Sequence, residues 1–233
     1  MKRRQAVLFG ATGLIGSLVL RRLLALDDYE SITLIGRSHP EVTDPRVEAL
    51  TCSLDKLADI RLPHSVDDVF CCLGTTLKRA GSREAFYRVD HDFCVAAAAF
   101  AKKYTAEHFL MVSAVNADLK GISFYSQVKG QAEADVQAEG VRRVTFMQPS
   151  LLEGERDEIR FGEEIGQTLM SLIKPFVSWT QAQWLSISAA SVADAMVASA
   201  LSADVTSGVS QQTVQRLRYK EIIEFAKLVR GKA

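Results

Sequence analysis

Short apolar segments alternate with segments of helical periodicity along the first two thirds of this 233-residue chain, and this alternation constrains the fold most strongly. The apolar segments predict strands at 5–9, 31–35, 47–52, 67–73, 108–112 and 143–147. The periodic segments predict helices at 14–26, 82–103 and 125–139. Continuous apolar strands separated by helices are typical of a parallel sheet that is buried on both faces. With right-handed crossovers, the sequence therefore predicts a doubly wound α/β fold.

The chain contains no Gly-, Ser- or Pro-rich linker that would divide it into separate units. We therefore expect one Rossmann domain over 1–233, with its core at 5–150 and closing elements at 151–233. Within the closing elements, helices are expected at 157–173, 191–201 and 219–229. We expect these pieces to complete the sheet and to form a small C-terminal region that covers a substrate cleft.

Charge and cysteine content exclude several classes of function. Lys and Arg number 28 and Asp and Glu number 28, so the balanced chain has no general electrostatic attraction to nucleic acid or anionic membranes. The four cysteines form no C-x-x-C pair, which gives no support to a metal site and fits a reducing cytosol. The longest apolar run, near 93–101, is too short to span a bilayer. These features predict a soluble cytoplasmic protein with no nucleic acid or membrane partner.

A glycine-rich segment, Gly10-Ala11-Thr12-Gly13-Leu14-Ile15-Gly16, joins the first predicted strand to the first predicted helix. Glycine allows a tight turn and lets the backbone approach a diphosphate without a Cβ in the way. The start of the helix offers free N–H groups and a partial positive charge. This pattern is one residue wider than the usual dinucleotide fingerprint, and its position after a strand favours a dinucleotide site. The alternative is a tight strand-to-helix turn packed with small residues.

The end of the second predicted strand indicates which dinucleotide binds. An acidic residue about 20 positions after the glycine loop would bind the ribose hydroxyl of NAD, but this position reads Ile35-Gly36-Arg37-Ser38. Arg37 can form a bidentate contact with a 2′-phosphate, which an acid would repel. NADP(H) is therefore favoured over NAD(H), the alternative being that Arg37 is a solvated loop cation.

A candidate catalytic group follows the fifth predicted strand. Ser113 ends that strand, and Tyr125 and Lys129 lie four residues apart at the start of a helix, where they share one face. A nearby ammonium stabilises a phenolate and lowers the pKa of a tyrosine, so that the tyrosine can exchange a proton with a carbonyl or alcohol oxygen. Ser113 can hydrogen-bond the same oxygen, and Lys129 can hold the nicotinamide ribose.

These motifs resemble the short-chain dehydrogenase/reductase superfamily, and the glycine spacing and short length resemble its atypical branch. Three further motifs are similar to the Tat-interacting-protein type of oxidoreductase: Phe70-Cys71-Cys72-Leu73-Gly74-Thr75-Thr76, Tyr87-Arg88-Val89-Asp90-His91-Asp92 and Val112-Ser113-Ala114. The similarity runs from about residue 5 to residue 154. It implies that Leu73, Gly74 and Thr75 lie against the cofactor and that Pro149, Ser150 and Leu151 lie near the nicotinamide. It also implies a homodimer formed through the helices at 82–103 and 125–139.

The chain departs from the family pattern at two positions. The main family carries a catalytic Asn in the helix that matches 82–103, and here the aligned residue is Asp90. Many relatives carry an Asp after the third strand that contacts adenine, and here Ser53 falls at or near that place, with Asp55 two residues on. We expect Ser53 to form a weaker hydrogen bond to adenine.

The sequence thus predicts an NADP(H)-dependent oxidoreductase that transfers hydride between the nicotinamide and a small carbonyl or alcohol substrate through Ser113, Tyr125 and Lys129. The alternative is an NADP(H)-binding, redox-sensing regulatory protein with little or no catalysis. The Ser/Tyr/Lys set favours the enzyme, whereas the missing Asn and the short substrate region favour the regulator. A sugar epimerase or dehydratase ranks third, because those relatives usually have a larger C-terminal substrate region.

Overall fold

A seven-stranded parallel sheet forms the centre of the computed structural model, which describes residues 3–153, 186–202 and 211–230. Every strand pairs with its neighbour in parallel. The strands lie in the order β3 (Val47–Thr51), β2 (Tyr29–Gly36), β1 (Arg4–Phe9), β4 (Asp68–Cys71), β5 (His108–Val112), β6 (Arg143–Met147) and β9 (Thr213–Leu217). A separate pair joins β7 (Leu151–Glu153) to β8 (Ser186–Ser188).

Helices cover both faces of the sheet, as the apolar strands require. They are α1 (Leu14–Leu24), α2 (Leu77–Ala80), α3 (Arg83–Tyr87), α4 (Phe93–Lys103), α5 (Phe124–Ala138), α6 (Ala189–Leu201) and α7 (Tyr219–Arg230). On one face, α1, α6 and α7 bury Val19, Val192 and Ile222 in a common core. On the other face, α4 and α5 bury Ala97 and Val136 against the sheet. The predicted doubly wound α/β fold is confirmed.

Strand order reverses between β1 and β4, because the chain runs from β1 outward to β3 and then returns to β4. Ligands of open α/β sheets bind in the crevice at the carboxyl ends of the strands beside such a reversal. Gly10 follows β1 and Cys72 follows β4 at this point, and Ser113 follows β5 beside it. The fold therefore brings the glycine loop and the candidate catalytic group to one edge of the sheet.

Several predicted elements differ in detail from the structure. The helix predicted at 82–103 is capped by the Ser82 hydroxyl but contains a π-helical turn at Arg88–Asp92. The strands β7, β8 and β9 were not predicted, whereas α6 and α7 match the predicted helices within two residues. The helix predicted at 157–173 lies outside the described residues. In the part of the chain that is described, no helix is both long and apolar enough to cross a lipid bilayer.

Candidate active site

The glycine loop forms a close turn between β1 and α1. Gly10 has a φ of +81°, and a Cβ there would lie 2.6 Å from the backbone oxygen of Cys72. A Cβ on Gly16 would collide with the Gly10 carbonyl oxygen, so the first turn of α1 packs directly on the loop. Gly13 precedes α1, and no side chain caps its first N–H groups. The turn therefore leaves the start of the helix open to an anionic ligand.

A cavity of about 170 Å³ lies over this turn. Among its lining residues are Gly10, Thr12, Gly13, Arg37, Ser38, Leu54, Leu73, Gly74, Thr75 and Arg79. Arg37 and Arg79 are exposed, and within the described residues neither guanidinium has a hydrogen bond or an ion pair. Both are therefore available to an anionic group such as a phosphate.

Ser53 does not lie in this cavity, although it was expected to contact adenine. Its hydroxyl donates to Asp55 Oδ2 at 2.9 Å, and Asp55 in turn accepts from Arg88 at 2.6 Å. The side chain is thus directed toward a surface ion pair, and the neighbouring Leu54 lines the cavity instead. The expected hydrogen bond from Ser53 to adenine therefore stays a prediction.

A larger cavity of about 430 Å³ continues from the glycine loop toward the candidate catalytic group. The residues that line it include Thr12, Gly13, Leu14, Ile15, Leu73, Gly74, Thr75, Asp90, Ser113, Tyr125, Lys129 and Leu152. The two cavities share the loop residues Thr12 and Gly13 and the segment 72–75 after β4. One continuous groove therefore joins the phosphate-binding turn to the Ser/Tyr/Lys set.

Lys129 forms a buried ion pair with Asp90. Its Nζ lies 2.7 Å from Asp90 Oδ1, and the two residues are only 4% and 1% exposed. The backbone N–H of Thr75 donates to the other oxygen, Asp90 Oδ2, at 2.8 Å. Burial lowers the pKa of Lys129, but the charges of Asp90 and Tyr125 outweigh it and raise the pKa above its ordinary value. Lys129 therefore stays an ammonium.

Tyr125 faces the larger cavity and packs its ring 5.8 Å from the Phe86 ring. Burial raises the pKa of Tyr125 above its ordinary value; Lys129 lowers that pKa, and Asp90 raises it again. At neutral pH the side chain is consequently a phenol and not a phenolate. Lys129 thus lowers the pKa of Tyr125 as expected, but burial and Asp90, which the sequence expectation did not include, raise it by more.

Ser113 is held by a carboxylate that sequence reasoning missed. Its hydroxyl donates to Glu133 Oε1 at 2.5 Å, and Gln148 donates to the same oxygen at 2.8 Å. Arg216 of β9 donates to Glu133 Oε2 at 2.8 Å. Because the Ser113 hydroxyl uses its proton in the hydrogen bond to Glu133, the serine oxygen can act only as an acceptor toward the cavity. A signal was present, since Glu133 follows Tyr125 and Lys129 at the same four-residue interval.

The residues expected near the nicotinamide follow β6. Pro149 is buried and its carbonyl accepts from the Val115 N–H at 3.1 Å. Neither Pro149 nor Ser150 lines the two cavities, the side chain of Leu151 lies outside the described residues, and Leu152 does line the larger cavity. In the described ranges, no group of three His, Cys, Asp or Glu side chains is arranged to hold a metal ion.

Sequence comparison relates this chain to known proteins. Residues 10–203 match the sequence model of a family described as NAD(P)H-binding. Protein HTATIP2 of Rattus norvegicus is 34% identical over 167 residues, which cover 70% of this chain and 69% of that protein. Protein FMP52, mitochondrial, of Eremothecium gossypii is 31% identical over 170 residues, which cover 72% of this chain and 76% of that protein. The resemblance inferred from the motifs is confirmed.

A solved structure supports the fold. An oxidoreductase of the short-chain dehydrogenase/reductase family from Burkholderia thailandensis superimposes with a TM-score of 0.60 at 19% identity. The match covers 94% of this chain and 92% of that one.

Proposed function

This chain belongs to the NAD(P)H-binding family, and from that premise we propose that it is an NADP(H)-dependent oxidoreductase acting on a small carbonyl or alcohol substrate. The observation that supports this best is the larger cavity, which is lined both by the start of α1 and by Ser113, Tyr125 and Lys129. A dinucleotide seated on the glycine loop would reach the Ser/Tyr/Lys set without leaving the groove.

The residues present fit such a cofactor. Gly10 and Gly16 allow close backbone packing of the turn, because a Cβ at either position would collide with a backbone oxygen. At this turn α1 offers uncapped N–H groups to a diphosphate. Arg37 and Ser38 line the opposite end of the groove, where a guanidinium would select the 2′-phosphate of NADP(H) over the hydroxyl of NAD(H). When bound, the cofactor supplies or accepts a hydride at its nicotinamide ring.

In this mechanism the chain's own residues handle the proton. The Tyr125 phenol donates its proton to the substrate oxygen as the carbonyl carbon is reduced, and Lys129 stabilises the phenolate that remains. Ser113 accepts a hydrogen bond from the new hydroxyl, since its own proton is directed to Glu133. In the reverse direction, the phenolate form of Tyr125 takes the proton of an alcohol.

A second candidate is an NADP(H)-binding, redox-sensing regulatory protein with little or no catalysis. One observation favours it: Asp90 neutralises the Lys129 ammonium in a buried pair, which weakens the assistance that Lys129 gives to Tyr125. A protein of this kind would keep the glycine loop and Arg37 but would not need Tyr125.

The two candidates are separated by measuring binding and turnover on the same protein. Calorimetry with NADPH and NADH gives the affinities, and absorbance at 340 nm gives NADPH oxidation over a panel of aldehydes and ketones. We expect Tyr125→Phe to bind NADPH normally and to lose about 10²- to 10⁴-fold in turnover. Tyr219→Phe is the matched control, because that tyrosine lies outside both cavities.

Each result has a distinct meaning. Binding of NADPH with no turnover on any carbonyl would favour the regulator, and absence of binding to both dinucleotides would contradict both candidates. Equal turnover of Tyr125→Phe and the native protein would remove Tyr125 from the mechanism.

Location and assembly complete the proposal. We propose a cytoplasmic location, while the fungal relative is named mitochondrial, so fractionation of cells is the direct test. We also propose a homodimer formed through the helical segments 82–103 and 125–139, which sedimentation of the purified protein would check.

A further inference from the structure

Asp90 occupies a position that fixes both of its oxygens. It lies in the π-helical turn at Arg88–Asp92 and is 1% exposed. One oxygen contacts Lys129 Nζ at 2.7 Å and the other accepts from the Thr75 N–H at 2.8 Å. An extra backbone position in a helix is often found where a side chain must be turned toward a site. Here it aims a carboxylate between the β4 loop and α5.

The carboxylate changes what Lys129 offers to its neighbours. An isolated ammonium would stabilise a nearby phenolate strongly, whereas an ammonium in contact with a carboxylate acts as a dipole of no net charge. A buried pair of this kind also resists separation, because either charge alone would be costly to bury. The phenol of Tyr125, which lines the same cavity, therefore faces a neutral pair.

We propose that Asp90 is a positioning residue that keeps Tyr125 protonated by neutralising Lys129, and that it thereby suits the site at neutral pH to carbonyl reduction rather than alcohol oxidation. This inference rests on the proposed function. In the reductive step the carbonyl carbon gains a hydride from NADPH, the C=O π bond breaks, and the oxygen takes the Tyr125 proton. The substrate is reduced, NADPH becomes NADP⁺, and the phenolate regains a proton from water.

Other titratable groups around this cavity do not replace Asp90. The groups that face the pair or line the cavity are Lys129 of α5, Cys94 of α4, Arg21 of α1, Arg79 of α2 and Cys72 after β4. A hydrogen bond with Cys71 and burial raise the pKa of the Cys94 thiol, and burial raises that of Cys72, so both are neutral. Among the described residues, Asp90 is therefore the only carboxylate that lines this cavity.

The test is a pH titration of the tyrosines by NMR, with the ring carbon bonded to the hydroxyl labelled with ¹³C. The ¹³C signal of Tyr125 is assigned as the one that is missing from the spectrum of Tyr125→Phe. In the native protein we expect Tyr125 to ionise above pH 10, and in Asp90→Asn we expect its midpoint to fall by about 1–3 pH units. In Asp90→Glu, which keeps the negative charge, the Tyr125 midpoint should stay close to that of the native protein.

Asp92→Asn provides a matched control on the same turn. The pKa of Tyr87 is raised by burial and then by Asp92 and Asp135. We therefore expect Asp92→Asn to lower the titration midpoint of Tyr87 and to leave that of Tyr125 unchanged. Asp90→Asn should lower the midpoint of Tyr125 and leave that of Tyr87 unchanged. A merely structural role of Asp90 would not produce this exchange.

The outcomes do not depend on turnover. An unchanged Tyr125 midpoint in folded Asp90→Asn would overturn the inference, as would a native Tyr125 that ionises below pH 9, a result that needs no variant at all. A shift without any carbonyl turnover would keep the role of Asp90 and contradict the proposed function alone. Where turnover is found, alcohol oxidation by Asp90→Asn should gain activity near pH 8 relative to the native protein.

Discussion

Replacing Glu133 by Gln is the most informative perturbation of the network behind the site. Glu133 is 3% exposed, and its two oxygens accept three hydrogen bonds, from Ser113, Gln148 and Arg216. Glutamine has nearly the same shape but carries one oxygen and one NH₂ group. In either orientation of the amide, its NH₂ group faces a side chain that donated a hydrogen bond to Glu133, and that hydrogen bond is lost.

The magnitude follows from which contact is lost. The arrangement that keeps Ser113 and Gln148 satisfied sets the amide NH₂ against Arg216, and an unsatisfied buried donor costs about 1–3 kcal/mol. The Arg216 side chain is 41% exposed and can turn toward water, which favours the lower half of that range. We therefore expect a loss of about 1–2 kcal/mol in the free energy of unfolding. For a chain of this size that corresponds to a Tm lower by about 2–8 °C.

Chemical denaturation and calorimetry of the native protein, Glu133→Gln and Glu139→Gln form the assay. Glu139 ends the same helix, and no hydrogen bond or ion pair of its carboxylate is present in the described part of the chain. Glu139→Gln should therefore change the free energy of unfolding by no more than about 0.5 kcal/mol. If Glu133→Gln and Glu139→Gln have the same free energy of unfolding, the Glu133 carboxylate is not the common acceptor for Ser113, Gln148 and Arg216.

Two further predictions concern cofactor choice and acid stability. Arg37→Ala should weaken NADPH binding by about 10- to 100-fold and leave NADH binding unchanged, since it removes a charge-assisted contact to the 2′-phosphate alone; equal losses for both in calorimetry would contradict this. His108 is fully buried, and burial, followed by the charges of Arg143 and Arg4, holds its pKa well below the ordinary value. As pH falls through about 6.5, His108 therefore binds a proton in the unfolded chain but not in the folded chain. The contribution of neutral His108 to the free energy of unfolding is present above about pH 6.5 and is lost as pH falls from about 6.5 toward the folded pKa. In His108→Asn the dependence of Tm on pH between 7 and 5 should be flatter, and parallel profiles would argue against it.

The sheet was predictable where its strands are apolar. In β1, residues Ala6–Phe9 are fully buried, and such a run can hardly be anything other than a central strand. β9 escaped prediction because it is an edge strand with two exposed residues, Gln215 and Arg216, and its segment lacks a continuous apolar run. Its place in the sheet depends on pairing with β6, which lies about 70 residues earlier.

The candidate site divides in the same way. The glycine loop and the Tyr125 and Lys129 pair are local patterns, whose spacing alone sets their relation to a helix. The two carboxylates are not local, because Asp90 meets Lys129 from another helix and Glu133 meets Arg216 from β9, 83 residues away. A one-dimensional pattern has no means of showing that these charged side chains meet in the folded chain.

Together, these contacts give the groove an uneven distribution of charge. At the catalytic end, Lys129 is paired with Asp90 in the cavity wall, and Arg216 is paired with Glu133 behind Ser113. At the other end, Arg37 has no ion pair within the described residues, and it lines the same cavity as Gly13, which precedes the uncapped start of α1. Arg79, which lines both cavities, also has no ion pair there. Phosphates would therefore be drawn to the end that is lined by Arg37 and the start of α1. It follows that substitutions at the phosphate end should act mainly on cofactor affinity, and substitutions at Asp90 mainly on the protonation of Tyr125.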